Sequence, residues 1–387
     1  MTARRLRLGM VGGGAGSFIG AVHRLAARMD DQYELVAGAL SSDPARAASS
    51  AEALHIAPQR AYASFAAMAA AEAALPEGER IDAVSVVTPN DSHVPIARAF
   101  LEAGIAVICD KPLATSLAEA RALANLVQAS GLPFVLTHNY SGYPLVRQAR
   151  AMVAAGELGQ LRVIQVEYPQ DWLTEPLEQT GQKQAAWRTD PARSGPAGCT
   201  GDIGTHAHQL ACFVSGLRLE AVAADLSSFV PGRRLDDDAR MLLRFAGGVR
   251  GMLWASQVAP GHENGLRLRV YGDKGALHWV QASPNEMSFT RYGEPPRLLT
   301  RGMPGQSEAA ARATRIPAGH PEGYLEAFAQ IYTDAALWLR AHARGAPKPA
   351  ECDSLPGIAD GVAGMAFIEA ALDSSQHDAG WARLADT

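Results

Sequence analysis

One aspartate and two histidines lie close together between Gly201 and His208. In an α-helix that begins near Asp202, residues four apart point within about 40° of each other, whereas residues two apart differ by about 200°. Asp202 and His206 would then share a face, and His208 would point away. This spacing disfavours a His-x-His metal site, and no metal site is expected. It favours a carboxylate that orients an imidazole base near neutral pH. The alternative is a buried capping aspartate with a core histidine.

A lysine stands between a carboxylate and a proline in Asp110-Lys111-Pro112, directly after the apolar run Val107 to Cys109. At the carboxyl end of a parallel strand, side chains face the ligand crevice. An ammonium group held there can donate to a substrate hydroxyl and bias its pKa. The alternative is an ordinary surface lysine.

A second polar cluster, Thr88-Pro89-Asn90 with His93, follows the apolar run Ala83 to Val87. If that run is a neighbouring parallel strand, these residues face the same crevice. They are equally typical of a turn and a helix cap. Both interpretations remain open from the sequence.

Five glycines lie between the apolar run Leu6 to Val11 and a helix-forming segment, at positions 12, 13, 14, 16 and 20. Glycine lets a backbone turn tightly and approach a pyrophosphate, whose charge is met by amides at a helix N-terminus. Gly12-x-Gly14 is the standard start of a dinucleotide fingerprint, but the next matching glycine is Gly20. The loop is therefore roughly three residues longer than usual. The alternative is a loop that merely needs positive φ.

The end of the second predicted strand indicates which dinucleotide is bound. An acid there would bond the ribose 2′-hydroxyl of NAD, but Ser41 and Ser42 occupy the position. No acid excludes a 2′-phosphate, and no adjacent basic residue clearly favours one; Arg46 is expected on a solvated helix face. The sequence permits NAD or NADP, and the missing basic partner favours NAD.

The elements that position these residues change in pattern near residue 138. Residues 1–138 alternate short apolar runs with helix-period stretches, which predicts a doubly wound parallel sheet. Helix starts are indicated by Asp43-Pro44 and by Ser116 with Glu119. The predicted strands are Leu6 to Val11, Leu35 to Leu40, Ala83 to Val87, Val107 to Cys109 and Phe134 to Thr137.

Residues 139–387 predict a second domain in which strands are not separated by regular helices, so its sheet should be antiparallel or mixed. A helix to about Ala155 and a Gly156 to Gly159 turn precede them. The predicted strands are Leu161 to Tyr168, Met241 to Phe245, Gly251 to Gln257 and Leu266 to Tyr271, with a Gly247-Gly248 hairpin turn. Pro284 to Gly319 is predicted to be irregular surface structure. Glu322 to Ala343 and Ile358 to Leu372 are predicted helices that pack back across the domains.

Composition excludes several classes of protein. The chain has 387 residues, which predicts two domains or slightly more. Its net charge is −5, so nothing favours binding to nucleic acid or an anionic membrane. No segment reaches the approximately 18 uninterrupted apolar residues of a membrane span. The four cysteines form no C-x-x-C pair and are expected to be free thiols in a reducing compartment.

The start of the chain, Arg4-Arg5 followed by the apolar stretch Leu6 to Ala21, is similar to a twin-arginine or secretory signal. A signal of this kind is rarely so rich in glycine, and its removal would delete the first predicted strand. The sequence therefore favours a cytoplasmic protein.

Together these motifs resemble the Gfo/Idh/MocA family of NAD(P)-dependent oxidoreductases, which includes glucose–fructose oxidoreductase, inositol 2-dehydrogenase and related pyranoside dehydrogenases. The motifs occur in the family's order along nearly the whole chain: the Gly12 and Gly14 turn, Thr88-Pro89-Asn90-x-x-His93, Ala103-Gly104 before Asp110-Lys111-Pro112, Gly156 to Gly159, Trp187-Arg188, and Asp202-x-Gly204-x-His206. Asp-Lys-Pro replaces the family's usual Glu-Lys-Pro. Gly195 to Gly198 replaces a triple glycine, and Gln209 replaces an acid, so substrate identity stays open.

The resemblance implies a Rossmann domain followed by an α/β domain with an open, mostly antiparallel sheet. It implies a catalytic trio of Lys111, Asp202 and His206. Family members commonly form dimers or tetramers through the sheet, whereas polar residues facing solvent there would imply a monomer. The implied cofactor contacts are Gly12, Gly14, Ser17, Phe18, Ile19, Ser41, Ser42, Thr88, Asn90, His93, Asp110, Lys111, Asn139, Trp187 and Arg188.

The implied activity is hydride transfer between nicotinamide and a ring carbinol of a cyclitol, sugar or glycoside. Polar and aromatic groups suit such a ring. The candidate substrate contacts are Lys111, His138, Tyr168, Trp172, Arg188, Asp202, His206 and His262. A redox-neutral NAD-dependent glycosidase, acting through transient oxidation of the sugar ring, would use the same trio. A non-catalytic sugar or nucleotide sensor is disfavoured because the trio is intact.

Overall fold

The computed structural model describes residues 4–385, which fall into two compact units. The first unit contains the chain up to Ala114, Ala118–Asn139 and Leu325–Gly361. The second contains Thr115–Leu117, Tyr140–Tyr324 and the chain from Val362. The predicted second domain, 139–387 with C-terminal helices that pack back, includes Leu325–Gly361. That segment belongs to the first unit, where the Tyr332 hydroxyl lies 2.8 Å from His23 Nδ1 in the core.

The first unit alternates strands and helices, as its sequence pattern predicts. Within the described residues it holds five parallel strands in the order β2-β1-β3-β4-β5. Its elements up to residue 136 are β1 Leu6–Gly12, α1 Phe18–Met29, β2 Tyr33–Ala39, α2 Pro44–Ala53, α3 Phe65–Ala73, β3 Ala83–Val87, α4 His93–Glu102, β4 Ala106–Cys109, α5 Leu117–Ser130 and β5 Phe134–Leu136.

The central strands β3 and β4 are buried throughout and, except for Ser85, apolar, because both faces of the sheet are covered. Every residue of β3 and β4 is buried, and such continuous apolar runs are typical of parallel sheets. Polar side chains mark the helix starts: the Asp43 carboxylate accepts a hydrogen bond from Arg46 N at 2.7 Å. The predicted Rossmann sheet is therefore confirmed, with strand ends differing by one or two residues.

The second unit is built mainly from strands. Its elements, together with the late helix of the first unit, are α6 Pro144–Ala154, β6 Leu161–Pro169, α7 Lys183–Arg188, α8 Pro191–Ser194, α9 Thr205–Ser215, β7 Leu219–Ser227, β8 Asp238–Phe245, β9 Arg250–Ser256, β10 Arg267–Gly272, β11 Gly275–Val280, β12 Glu286–Arg291, β13 Arg297–Thr300, α10 Glu308–Arg312, α11 Tyr324–His342, α12 Ile358–Gln376 and β14 Ala382–Arg383.

The strands of the second unit form one mixed sheet. In the part of the chain that the structure describes, nine strands follow the order β13-β12-β11-β10-β6-β9-β8-β7-β14. The pair β6 and β9 is parallel, and the other neighbours are antiparallel. A turn at Ala246–Gly248 joins β8 to β9, as predicted. The predicted open, mostly antiparallel sheet is confirmed.

The prediction that Pro284 to Gly319 is irregular is wrong, because this segment contains β12, β13 and α10. Its Pro, Gly, Ser and Arg content conceals a short strand in which Met287 and Phe289 are buried and alternate with polar residues. Three further strands, β7, β11 and β14, were also absent from the sequence prediction. The sheet is consequently wider than predicted.

The nine-stranded sheet is covered unequally. Helix α9 packs against β6, β9 and β10, and the residues on that face are apolar. On the other face, Leu242 of β8 lies opposite Met252 of β9, and they are 52% and 47% exposed. Across residues 4–385 the structure holds no helix with the length and hydropathy needed to cross a membrane. All four cysteines are free.

Two buried histidines lie in the cores of the two units. In the first unit, His23 Nδ1 lies 3.1 Å from Ser85 Oγ and 2.8 Å from the Tyr332 hydroxyl. In the second, His208 stacks on Phe367 with ring centroids 4.6 Å apart. Burial lowers the pKa of both His23 and His208 to about 4. Both are therefore neutral in the folded protein near pH 7.

Stability should fall as the pH drops from about 6.5 to about 4. In this range the unfolded histidines bind protons and the folded ones do not, so acid favours the unfolded chain. Each histidine would contribute a loss of up to about 3 kcal/mol. We expect His208→Phe, which preserves a ring on Phe367, to make this loss smaller when urea unfolding is measured across the pH series.

The exposed His377, whose side chain is 73% accessible, provides the control. His377→Phe should leave the pH dependence of unfolding as in the wild type. A wild-type slope in the His208→Phe variant would contradict the assignment of His208 as a neutral core residue.

Candidate active site

The glycine-rich loop after β1 is tied to the neighbouring strand and helix. Gly14 N donates to Leu40 O at 3.1 Å, and Ala15 N donates to Ser50 Oγ at 2.9 Å. Leu40 follows β2, and Ser50 lies on α2. These bonds hold the loop at the end of the sheet, where α1 begins.

Gly20 is the glycine at which helix α1 touches this loop. A Cβ atom on Gly20 would stand 2.3 Å from Gly13 Cα, so only glycine allows this contact. Arg24, one turn later, donates to the Gly13 carbonyl, and Ser17 Oγ accepts from Gly20 N at 3.2 Å. Gly20 thus performs the helix-packing role of the third fingerprint glycine, and the loop is longer than the standard one.

The remaining predicted cofactor residues of this region have different surroundings. Phe18 is 67% exposed at the first turn of α1, whereas Ile19 packs on the core cluster that includes Met10 and Leu40. Ser41 Oγ accepts from Asp43 N at 3.1 Å. Ser42 is exposed. Asp43 itself caps α2, so its carboxylate is already engaged.

Lys111 lies in the loop after β4, half-buried and next to a well-held carboxylate. Asp110 Oδ1 accepts from Lys111 N at 2.9 Å and from Thr137 Oγ1 at 2.9 Å. The Lys111–Pro112 peptide is cis. Because parallel strands end at the same edge of the sheet, the loop brings Lys111 to the edge that also carries the glycine loop.

His93 is fully buried and bridges the loops after β3 and β4. Its Nδ1 lies 2.7 Å from Pro112 O, and its Nε2 lies 2.9 Å from Thr88 O. Both ring nitrogens therefore contact protein carbonyls. His93 holds the Lys111-Pro112 segment against the end of β3, which neither the crevice interpretation nor the cap interpretation included.

Three of the other polar residues at this edge are buried, and Thr88 is half-buried. Thr88 Oγ1 accepts from Ser92 Oγ at 2.7 Å. Asn90 is 6% exposed, and His138 and Asn139, which follow β5, are each 2% exposed. The first unit thus collects a glycine loop, an ammonium group and buried polar groups at one edge of its sheet.

In the second unit, Asp202 lies on a turn of π-helix, Thr200–Gly204, which leads into α9. The α-helix begins at Thr205, three residues later than predicted. The prediction that Asp202 and His206 share a face of one α-helix therefore does not apply here. The Asp236 carboxylate causes this local structure. It accepts from Gly198 N at 2.6 Å, Thr200 N at 2.8 Å and Thr200 Oγ1 at 2.7 Å. A π turn of this kind is common at functional sites.

The Asp202 carboxylate is held by two donors on one oxygen. Gln257 Nε2 donates to Asp202 Oδ2 at 2.9 Å, and Arg188 Nε donates to the same atom at 3.2 Å. The Arg188 guanidinium also lies over the Trp187 ring, 4.3 Å from its centroid. Charge-assisted bonds of this kind favour the ionised carboxylate.

His206 is 8% exposed and lies among tyrosines. Its ring is 4.9 Å from that of Tyr140, edge to face, and 6.2 Å from that of Tyr168. The Tyr140 and Tyr168 hydroxyls are hydrogen-bonded to each other. Burial raises the pKa of both phenols, so both are protonated near pH 7. His208, two residues further on, belongs to the core.

Side-chain amides extend from this tyrosine pair. Trp172 Nε1 donates to Gln170 Oε1 at 3.0 Å, and Gln170 Nε2 donates to Asn264 Oδ1 at 2.8 Å. Asn264 Nδ2 donates in turn to Gln281 Oε1 at 3.0 Å. Trp172, predicted from sequence as a substrate contact, is therefore part of an ordered polar network.

The structure does not bring His262 to the tyrosines. Its ring lies 6.2 Å from that of Trp254. Trp254 alternates with buried Leu253 along β9 and so belongs to the face opposite α9. The loop after β9 directs Asn264, rather than His262, toward Gln170. The geometry gives no support to His262 as a substrate contact.

Two site residues, Asp236 and Gln257, were missed by the sequence analysis. Asp236 is the first of three consecutive aspartates, the last of which begins β8. This run is visible in the sequence, but it does not indicate which segment the carboxylates contact. Gln257 ends a predicted strand and had no motif around it. Both act on a segment 36 to 55 residues away in sequence.

Both parts of the chain match known protein families. Residues 6–140 match the model described as oxidoreductase family, NAD-binding Rossmann fold. Residues 146–278 match the GFO/IDH/MocA C-terminal domain.

Three relatives span nearly the whole chain. An oxidoreductase from Sinorhizobium meliloti is 54% identical, covering 98% of this chain and 99% of that chain with a TM-score of 0.88. An inositol dehydrogenase homolog from Azotobacter vinelandii, complexed with NADH and myo-inositol, is 37% identical, covering 98% of both chains with a TM-score of 0.90. The uncharacterized oxidoreductase YfiI of Bacillus subtilis is 33% identical over 385 residues, 98% of this chain and 97% of that protein. From its glycine loop to its mixed sheet, the chain belongs to the GFO/IDH/MocA family of NAD-binding oxidoreductases.

Proposed function

We propose that this protein is an NAD-dependent dehydrogenase that transfers hydride between nicotinamide and a ring carbinol of a cyclitol, sugar or glycoside. The observation that carries the proposal is the held carboxylate of Asp202, with donors at 2.9 and 3.2 Å, four residues before the buried His206. An oriented carboxylate and imidazole form a general base. The relative complexed with NADH and myo-inositol supports the substrate class.

The first unit fits a dinucleotide at the glycine loop. Gly20 leaves no side chain where α1 meets Gly13, and the loop amides at the start of α1 suit a pyrophosphate. When bound, NAD accepts the hydride. The proposed cofactor contacts remain Gly12, Gly14, Ser17, Phe18, Ser41, Ser42, Thr88, Asn90, Asp110, Lys111, Asn139, Trp187 and Arg188. For Ile19 and His93, packing and bridging support an indirect role.

In the proposed mechanism, His206 takes the proton from the substrate hydroxyl as the carbon loses hydride. Asp202 stabilises the imidazolium that forms. Lys111 stabilises the developing oxyanion through its ammonium group. In the reducing direction, His206 returns the proton to the carbonyl oxygen.

We propose NAD as the preferred cofactor. The Asp43 carboxylate is used as the N-cap of α2, accepting from Arg46 N at 2.7 Å, so no free acid reads the 2′-hydroxyl. Arg46 is exposed, and the two serines offer only neutral hydroxyls. Nothing in this arrangement supplies a fixed charge for a 2′-phosphate.

The proposed substrate contacts are Lys111, His138, Tyr168, Trp172, Arg188, Asp202 and His206. Amide and phenol groups suit hydroxyls, and the indole of Trp172 suits an apolar ring face. This combination favours a polyhydroxylated ring. A cytoplasmic location is part of the proposal, in keeping with four free cysteines.

We also propose that the chain forms a homodimer or homotetramer through the open face of its nine-stranded sheet. Leu242 and Met252 are directly opposed and about half exposed on this face. The half-buried Trp254 extends the apolar surface. Arg240, Arg244 and Arg250 form a polar border around it.

Replacing the proposed base tests the mechanism. We expect His206→Ala to lower turnover by a factor on the order of 10² to 10⁴, the usual contribution of a positioned acid–base group, with nearly unchanged NADH affinity. Steady-state rates and NADH fluorescence titration measure the two effects. The core variant His208→Phe should retain turnover, and equal turnover in His206→Ala would contradict the assignment.

A substrate panel tests the reaction class and the cofactor. We expect purified protein with NAD to form NADH with at least one member of a panel of inositols, free aldoses and aryl glucosides. A tenfold preference for NADP, equivalent to about 1.4 kcal/mol, would overturn the cofactor proposal. Aglycone release without lasting NADH would indicate the redox-neutral glycosidase. Cofactor binding with neither signal would indicate a sensor.

Charge on the open sheet face tests the assembly. We expect the wild type to sediment as a dimer or tetramer, and Leu242→Glu with Met252→Glu to sediment as a monomer, because buried carboxylates would oppose each other. Leu25→Glu, at a residue 45% exposed on α1, is the control and should not change the mass. A monomeric wild type would contradict the proposal.

A further inference from the structure

The side chain of Gln257 touches the carboxylate on which the proposed mechanism depends. Gln257 is 2% exposed, and its Nε2 donates to Asp202 Oδ2 at 2.9 Å. We propose that Gln257 is a positioning residue that fixes the Asp202 carboxylate in the orientation in which it supports His206. This inference rests on the proposed function.

The backbone of Gln257 is fixed on both sides. Its N–H donates to Asp237 O at 2.8 Å, and its carbonyl accepts from Leu173 N at 3.0 Å. The side chain therefore starts from a set position, beyond the end of β9. Catalytic groups must be held within about 0.5 Å of their working geometry, and hydrogen bonds from fixed neighbouring residues such as Gln257 hold them there.

A buried arginine hydrogen-bonds to both residues that hold the backbone of Gln257, namely Leu173 and Asp237. Arg233, with a side chain 1% exposed, donates to Leu173 O at 2.9 Å and to Asp237 Oδ2 at 3.2 Å. Glu178 also accepts from Arg233, at 3.0 Å. Buried charges that are paired and fully hydrogen-bonded resist displacement. The frame around Gln257 is consequently rigid.

The second donor on Asp202 differs from Gln257 in its surroundings. The side chain of Arg188 is 24% exposed, and solvent weakens its interaction. Arg188 is also a proposed contact for cofactor and substrate, so its removal would have several effects. Gln257 adds no charge and contacts Asp202 directly, which makes it the residue whose positioning effect can be isolated.

Gln257→Leu removes the donor with little change in size. We expect the single-turnover rate constant for hydride transfer to fall on the order of tenfold to 100-fold, as for loss of a hydrogen bond to a charged group. NADH affinity should not change. A structural defect would lower the amplitude, because fewer molecules are folded, but would leave the rate constant unaltered.

A double-mutant cycle with Asp202→Asn separates positioning from other effects. If Gln257 acts through Asp202, Gln257→Leu should have little further effect in the Asp202→Asn background. Gln257→Glu provides a second variant of the same shape as the wild type. Its carboxylate would face that of Asp202, and it should slow the reaction at least as much as Gln257→Leu.

A matched control exists in the first unit. Gln330 is 1% exposed, and its Nε2 donates to Asp334 Oδ1 at 2.8 Å. Gln330→Leu removes an equivalent buried donor from an aspartate outside the proposed site. It should lower stability and leave the single-turnover rate constant unchanged.

Two results would overturn the role of Gln257: a wild-type rate constant in Gln257→Leu, or an equal loss in both Asp202 backgrounds. A wild-type rate in Asp202→Asn would instead reject the catalytic trio of the proposed function. The two failures are therefore distinguishable.

Discussion

Four hydrogen-bond donors converge on the carboxylate of Asp236, and the second unit's candidate site depends on this interaction. The amides of Gly198 and Thr200, the Thr200 hydroxyl and the Cys199 thiol all donate to it. Amides at the start of a helix have no partner within the helix, and leaving them unpaired is costly. The carboxylate satisfies them and so fixes the π turn that presents Asp202. A Cβ on Gly198 would stand 2.1 Å from Asp236 O, so the approach also requires glycine.

In the first unit, a buried histidine rather than a carboxylate holds the loops at the candidate site. Parallel strands place several loops at one edge of the sheet, where backbone carbonyls have no strand partner. The His93 ring joins two of these carbonyls, those of Thr88 and Pro112. In both units the residues proposed to react are therefore supported by polar groups that do not themselves react.

The sequence pattern predicted those structural features that depend on residues close together in the chain. Strands β3, β4 and β5 of the first unit were predictable because each is a continuous buried run. The pairing of Asp202 with His206 stays a prediction, because a π turn rather than an α-helix carries Asp202. Gln257 and Asp236 could not be found this way, since they approach the site from 55 and 36 residues away. The π turn at Thr200–Gly204 could not be predicted for the same reason, because the carboxylate that holds it, that of Asp236, is distant in the sequence. In the segment Pro284 to Gly319, the Pro, Gly, Ser and Arg content concealed strand β12, because only two buried residues, Met287 and Phe289, alternate with polar residues there.

The membership of Leu325–Gly361 in the first unit has a consequence for how the chain is made. Tyr332 contributes its hydroxyl to His23, and its carbonyl accepts from the Tyr33 hydroxyl at 3.0 Å. Domains generally fold as units while synthesis proceeds from the N-terminus. Here the cofactor-binding half lacks part of its core until almost the entire polypeptide has been synthesised. A late segment of the chain therefore completes the core of the unit that the earliest segment begins.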